Sequence, residues 1–175
     1  MQTVYILSGP AGVGKSTTSG ALLRALNNCA YISGDDVSHM HVSGRQKPWE
    51  SESELSLIWS NILSLTQNFV NNRIDVVIDY VTFPDEANWL KDKLKAFTIN
   101  VVYVVLWTDH ETLLKRDQMR TPEHQMGERC LILIDEFKES GLKNKHLLNT
   151  SKKNADDIHQ VIEEILNNQQ YKLED

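Results

Sequence analysis

The chain has 175 residues, of which 41% are hydrophobic and 24% charged, and its formal net charge is −6. This length and composition predict a single globular domain over residues 1–175. The apolar runs are too short for a membrane-spanning helix, and the negative charge argues against a nucleic-acid partner. Two widely separated cysteines without metal-ligand spacing, and no recognisable signal peptide, indicate a cytoplasmic protein with reduced thiols.

Strand-like and helical patterns alternate along the chain. We predict strands where β-branched and apolar residues dominate, at 3–8, 29–33, 75–81, 98–107 and 146–150. Apolar residues at helical spacing predict helices near 16–28, 52–71, 84–96, 109–119, 127–140 and 154–168, and a short helix after the second strand. The alternation is typical of an α/β domain with a parallel sheet and helices on both faces. Ligands of such sheets bind beyond the carboxyl ends of the strands.

The segment GPAGVGKST lies between the first strand and the first helix and matches the phosphate-binding (Walker A) pattern G-x-x-x-x-G-K-[ST]. The predicted cofactor-binding residues are Gly9, Pro10, Ala11, Gly12, Val13, Gly14, Lys15, Ser16 and Thr17. Main-chain amides of such a loop converge on an anion, Lys15 would reach the β- and γ-phosphates, and Ser16 would bind Mg²⁺. The pattern therefore predicts ATP and Mg²⁺ as cofactors. The alternative is a flexible turn with a chance lysine.

Two aspartates follow the second strand in YISGDD. Asp35 and Asp36 would lie beyond the carboxyl end of this strand, where the γ-phosphate of a bound nucleotide is expected. A carboxylate there could orient or deprotonate a substrate hydroxyl. Asp35 is the better candidate. The alternative is that either aspartate caps the short helix that follows.

Asp79 ends the third strand, after a run of Val and Ile, in a Walker-B-like pattern. Such an acid binds Mg²⁺ directly or through water. Capping of the next turn is an equally good interpretation. Asp75 lies at the other end of the same strand and is predicted to be solvated.

The segment 116–129 is predicted to be a small helical lid. Arg116 and Arg120 lie four residues apart on one helix face, Arg129 follows a proline and a glycine, and guanidinium groups stabilise the charge of a transferring phosphoryl group. We predict Arg116 and Arg120 as catalytic, together with Lys15 and Asp35. The alternative is a solvated basic face whose charge is offset by Asp117 and Glu123.

A polar stretch at residues 36–54 is predicted to be a loop on the substrate side. Its Arg45, Lys47 and Trp49 could bind an anionic or sugar-like substrate, although Trp49 could equally pack on the long helix behind it. His39 and His41 are close together, but no third ligand has suitable spacing, so exposed histidines are preferred to a metal site.

The motifs GPAGVGKST, YISGDD, VVIDYV and KRDQMR, in this order, resemble those of the small P-loop kinases of metabolites and antibiotics: gluconate kinase, shikimate kinase and chloramphenicol phosphotransferase. The resemblance covers nearly the whole chain and implies a three-layer P-loop NTPase fold with a five-stranded parallel sheet in the order 2-3-1-4-5. It also implies that Asp35 contacts the substrate hydroxyl, that Arg116 and Arg120 contact phosphates, and that adenine binds near residues 150–152.

The sequence departs from two members of that family at the substrate side. Ser33 stands where gluconate kinases usually carry an acid, and the third strand lacks the glycine pattern of shikimate kinases. Neither substrate can therefore be assigned. We expect an ATP-dependent phosphotransferase acting on a hydroxyl of a small molecule, such as a sugar acid, a related metabolite or an antibiotic.

The alternative function is a nucleotide-binding ATPase or a regulatory P-loop protein without a phosphoryl acceptor. No N-K-x-D-type guanine signature supports a GTPase, and the chain is too short for the added oligomerisation domain of an AAA-type motor. Monomer and homodimer are both compatible with the apolar helix stripes.

Overall fold

A computed structural model describes residues 1–122 and 125–174 of the chain. Five parallel strands form one sheet in the order β2-β3-β1-β4-β5, which confirms the expected topology. The strands are β1 (Gln2–Ser8), β2 (Cys29–Ser33), β3 (Asp75–Asp79), β4 (Ile99–Trp107) and β5 (Leu147–Asn149).

Helices alternate with these strands, as the sequence patterns predict. They are α1 (Lys15–Ala25), α2 (Gly34–His39), α3 (Glu52–Asn71), α4 (Pro84–Lys93), α5 (His110–Gln118), α6 (Glu128–Glu139) and α7 (Ile158–Asn167), with 3₁₀ turns at Asn144–His146, Ala155–Asp157 and Gln169–Tyr171. No helix of the described residues is long and apolar enough to cross a membrane.

The third strand is two residues shorter than predicted. It ends at Asp79 because the chain then bends toward β1, where the Ser8 hydroxyl donates to the carbonyl oxygen of Thr82 (2.7 Å) and accepts from its amide (2.8 Å). Asp75 is half-buried, so it is partly solvated and also has a structural contact. Its Oδ1 accepts a hydrogen bond from the amide of Thr3 at 2.8 Å, at the beginning of β1.

Alternate residues of the central strands face two separate cores, one on each side of the sheet. Ile6 and Ile78 belong to the core under α3 and α4, whereas Leu7 and Val77 belong to the core under α1 and α7. All four side chains are fully buried. Strands that are covered on both faces have such continuous apolar sequences.

The parallel register brings the carboxyl ends of three strands to one edge of the sheet. Asp79 of β3 lies opposite Leu7 of β1 and Ser33 of β2. The glycine-rich loop, Asp35 and Asp79 therefore meet at this edge, although they are far apart in the sequence.

Candidate active site at the carboxyl edge of the sheet

The glycine-rich loop between β1 and α1 has a backbone conformation that favours glycine. Gly9, Gly12 and Gly14 have φ angles of 132°, 82° and 106°. A Cβ on Gly9 would also lie 2.4 Å from the carbonyl oxygen of Leu106. Among the residues that the structure describes, no side chain caps the first turn of α1, so its N–H groups can receive an anion at the helix N-terminus.

The other residues of the loop differ in exposure. Pro10 and Val13 are buried, and Val13 packs into the core beneath α1. Ala11 is half-buried, whereas Ser16 and Thr17 are exposed in the first turn of α1. Their hydroxyls are therefore accessible at the helix end where the sequence predicts phosphate and Mg²⁺.

Lys15 lies across the loop that precedes it. Its Nζ donates to the carbonyl oxygens of Gly9 (2.9 Å) and Pro10 (3.1 Å). Burial lowers the pKa of Lys15, and the carboxylates of Asp79 and Asp35 act in the opposite direction. Both predicted acids thus lie within electrostatic reach of the ammonium group.

Asp79 is only 6% exposed at the end of β3, and its Oδ2 accepts a hydrogen bond from the hydroxyl of Tyr31 at 3.0 Å. Burial, followed by the charge of Asp79, raises the pKa of Tyr31, which therefore remains a donor. Asp79 does not act as the cap of the turn that follows β3 within the described residues, because the amide of Thr82 in that turn donates to the Ser8 hydroxyl (2.8 Å). Oxygen groups such as the Asp79 carboxylate and the Ser16 hydroxyl suit Mg²⁺.

Asp35 lies in the first turn of α2 and is exposed. Neither aspartate caps this helix, because the Ser33 hydroxyl accepts the hydrogen bond from the amide of Asp36 at 3.1 Å. Within the described residues, the carboxylate of Asp35 accepts no hydrogen bond. It is therefore available to a substrate. Asp36 is also exposed in the same turn.

Gly34 allows α2 to approach the chain that leaves β3. A Cβ on Gly34 would lie 2.2 Å from the Cγ of Tyr80. Tyr80 is 6% exposed, and its ring also packs edge-on against Trp59, with centroids 5.9 Å apart. This close packing fixes the position of α2, and with it the position of Asp35, at the carboxyl edge of the sheet.

The segment between α2 and α3, residues 40–50, is called the acceptor loop below. The buried Glu54 of α3 holds it at two points, because its carboxylate accepts from Nδ1 of His41 (3.0 Å) and from the amide of Gln46 (3.3 Å). The His41 bond is the main cause of the lowered pKa of Glu54. His39 is exposed as predicted, whereas His41 is partly buried and paired.

Arg116 joins two loops at the sheet edge. Its guanidinium group donates to the carbonyl oxygens of Val13 (3.1 Å), Thr150 (3.1 Å) and Lys153 (3.2 Å), and to the Thr150 hydroxyl (3.3 Å). It therefore connects the phosphate-binding loop to the segment predicted to hold adenine. Contact between Arg116 and a phosphate remains a prediction.

Asp117 organises the predicted lid. It is 3% exposed, and its carboxylate accepts from the amides of Met126 (3.0 Å) and Gly127 (2.9 Å). Burial raises its pKa, but these two amides and further donors lower it more, so the pKa of Asp117 lies below its ordinary value. The interpretation of Asp117 as a solvated counter-charge is therefore wrong. Two residues of the predicted lid, Glu123 and His124, lie outside the described residues.

Arg120 is exposed beside this carboxylate, with its Nη1 3.5 Å from Oδ1 of Asp117. Its charge lowers the pKa of Lys15, so the two cations lie near each other. Two like charges in proximity are stabilised by a bound anion. This placement is compatible with the predicted contact between Arg120 and phosphate.

Trp49 contacts two cations through its ring. It is 52% exposed, and its ring centroid lies 5.7 Å from Nζ of Lys47 and 5.5 Å from the guanidinium carbon of Arg129. Arg129 also forms a two-point ion pair with Glu136 (2.7 and 3.0 Å). The acceptor loop thereby touches the beginning of α6.

Comparison with known proteins identifies the family of this chain. Residues 4–131 match the model described as an AAA domain. The chain belongs to this family. No curated protein matches its sequence.

Several solved structures share the fold at low sequence identity. A gluconokinase from Sinorhizobium meliloti 1021 has a TM-score of 0.63 at 15% identity, covering 94% of this chain and 89% of the other. A tunicamycin resistance protein from Deinococcus radiodurans has a TM-score of 0.65 at 15% identity, with 95% and 96% covered. A sugar kinase from Janibacter sp. HTCC2649 has a TM-score of 0.66 at 11% identity, with 95% and 94% covered.

These similarities confirm the resemblance to small P-loop kinases at the level of the fold. Three residues of this site do not emerge from sequence reasoning: Glu54, Tyr80 and Asp117. Only Glu54 has a local signal, because Ser51 and Glu54 have the spacing of a capping box. In the structure the Ser51 half of the box forms, but the carboxylate binds the acceptor loop instead.

Proposed function

We propose that the chain is an ATP- and Mg²⁺-dependent kinase that phosphorylates a hydroxyl group of a small molecule, such as a sugar acid, a related metabolite or an antibiotic. The observation that supports this most is the Asp35 carboxylate. It has no hydrogen bond within the described residues, and it lies within electrostatic reach of Lys15 at the end of the phosphate-binding loop.

In the proposed reaction, the loop at residues 9–17 binds the triphosphate through main-chain amides and Lys15. The acceptor oxygen attacks the γ-phosphorus, the bond from that phosphorus to the β–γ bridging oxygen breaks, and Asp35 takes the hydroxyl proton. The products are ADP and a phosphate ester. Arg120 and Lys15 oppose the negative charge on the transferring group.

Two further groups complete the proposal. Ser16 and Asp79 would hold Mg²⁺, which supplies charge neutralisation for the phosphates when bound. Arg116 holds the phosphate-binding loop against residues 150–153, and we propose that this positions the nucleotide between them. Its direct contact with phosphate is part of the same proposal.

The test compares Asp35→Asn with Asp36→Asn, because both residues are exposed in the same turn of α2. Transfer from ATP is measured on a panel of sugar acids, sugars and antibiotics with free hydroxyls. Asp35→Asn should lower transfer by about 10²- to 10⁴-fold without weakening ATP binding, whereas Asp36→Asn should behave like the parent protein.

The alternative function gives the opposite pattern. An ATPase or a regulatory protein without an acceptor would release phosphate only to water or not at all, and Asp35→Asn would leave that rate unchanged. This result would contradict the kinase assignment.

A further inference from the structure

Arg45 is held in the acceptor loop with its terminal nitrogens unused. Its Nε donates to the carbonyl oxygen (3.1 Å) and the hydroxyl (3.0 Å) of Ser38, which is only 2% exposed in α2. Within the described residues, neither Nη1 nor Nη2 of Arg45 donates to a protein group. Glu54 fixes the loop on both sides of Arg45, through His41 and Gln46.

The neighbouring cations are used differently. Lys47 pairs with Glu50 at 3.1 Å, and Arg129 pairs with Glu136 through both terminal nitrogens. Arg116 donates to carbonyl oxygens. Arg45 differs from these cations, because its side chain is held in place while its two terminal nitrogens are unpaired within the described residues. The two parallel N–H groups of a guanidinium can bind two oxygens of one oxyanion.

Tyr80 provides a second polar group at the same place. It is 6% exposed, and its hydroxyl has no hydrogen-bond partner within the described residues. Burial and the charge of Asp35 raise the pKa of Tyr80, whereas the guanidinium group of Arg45 lowers it. The hydroxyl is thus a protonated donor within electrostatic reach of both Asp35 and Arg45, and its oxygen is accessible to a ligand, since it is not among the fully buried polar atoms of the described residues.

We propose that the acceptor carries an oxyanion, either a carboxylate or a phosphate monoester, in addition to the hydroxyl that is phosphorylated. The oxyanion binds the two terminal nitrogens of Arg45 and the hydroxyl of Tyr80, and this orients the reacting hydroxyl toward Asp35. The assignment of a reacting hydroxyl rests on the proposed kinase function, whereas the oxyanion subsite is tested without turnover.

The experiment measures binding by calorimetry to protein whose phosphate-binding loop is filled with a non-hydrolysable ATP analogue and Mg²⁺. Two matched pairs of probes are used: gluconate against glucitol for the carboxylate, and glucose 6-phosphate against glucose for the phosphate. At least one anionic probe should bind about tenfold or more tightly than its neutral partner. The pair that shows the difference identifies the oxyanion.

Variants then locate the subsite. Arg45→Gln should remove this preference, and Tyr80→Phe should weaken it while keeping the ring that packs on Gly34. Lys47→Gln removes the same charge from the same loop and should preserve the preference. Equal binding of both members of each pair, or an unchanged preference in Arg45→Gln, would overturn the proposal.

The two proposals fail in different ways. Phosphotransfer to neutral acceptors only would leave the kinase function standing and remove the oxyanion subsite. Binding of an anionic probe that depends on Arg45, without phosphotransfer to any compound, would leave the subsite and remove the kinase function.

Discussion

The phosphate side of the candidate site is one continuous segment, whereas the acceptor side combines side chains from separate elements. Residues 9–17 form a turn and the first turn of a helix, so local backbone geometry positions the main-chain amides that would bind phosphate. The acceptor side requires Gly34 to pack on Tyr80 and Glu54 to hold the acceptor loop. We therefore expect the first region to depend on few side chains and the second on each tertiary contact.

Apart from the Asp35 test above, the largest effect is expected at Lys15, the one charged side chain among residues 9–17. Lys15→Met should lower phosphotransfer by about 100-fold or more, because the charge that opposes the developing negative charge is lost. Thermal stability should not fall, since burial disfavours the ammonium group. Enzyme kinetics measure the phosphotransfer rate, and a thermal melting curve measures the stability. Lys138→Met, in an exposed pair with Asp135, is the control and should change neither.

Gly34→Ala tests the acceptor side through packing alone. The added Cβ would overlap the Tyr80 ring, so we expect a loss of up to about 3 kcal/mol in the free energy of unfolding and a lower rate of transfer. Unfolding by denaturant measures the change in the free energy of unfolding. Gly20→Ala in α1 is the matched control, because the nearest atom to its Cβ is a terminal nitrogen of Arg24 at 3.7 Å, and it should stabilise slightly.

Asp117→Asn tests the contact between the phosphate side and the predicted lid, since the Cβ of Asp117 lies 3.5 Å from the position of a Cβ on Gly12. Weaker bonds to the Met126 and Gly127 amides should cost about 1 to 2 kcal/mol at pH 7. The pKa of Asp117 is lowered in the folded protein, so its carboxylate stabilises the fold above the unfolded pKa. That stabilisation is lost as the pH falls through the folded pKa.

The difference between the parent protein and Asp117→Asn should therefore shrink in acid. Urea unfolding at pH 7 and at the lowest pH that preserves the fold measures it. Asp135→Asn removes an exposed partner of Lys138 and should have little effect at either pH. A difference that grows as the pH falls would contradict the role given to Asp117.

The smallest effect is expected at the contact between Trp49 and Arg129. A double-mutant cycle with Trp49→Leu and Arg129→Met should give a coupling energy below about 1 kcal/mol, because Trp49 is half exposed. Unfolding of the four proteins measures it. A coupling of several kcal/mol would show that this contact, and not Glu54, fixes the acceptor loop.

The sequence predicts those features that depend on local spacing. The strand order followed from the resemblance, and the placement of Asp35 and Asp79 followed from their positions at strand ends, which parallel topology brings together. The bounds of β3 were less accurate, because the bend after Asp79 depends on a hydroxyl of β1 that is 74 residues from Thr82.

Other features have no local signal. Asp117 has the sequence context of an exposed helical charge, and its burial results from amides nine and ten residues further on. Tyr80 follows the third strand as an ordinary aromatic residue, and its close packing against Gly34 and Trp59 has no signal in the nearby sequence. The sequence predicts Arg45 as a cation near a substrate, but the orientation of its side chain depends on Ser38 and Glu54.

A crystal structure with a non-hydrolysable ATP analogue and Mg²⁺ tests the central claim most directly. The account predicts the polyphosphate within the loop at residues 9–17, with the Asp35 carboxylate facing its terminal phosphate. A nucleotide bound elsewhere, or an Asp35 side chain directed away from that phosphate, would contradict it.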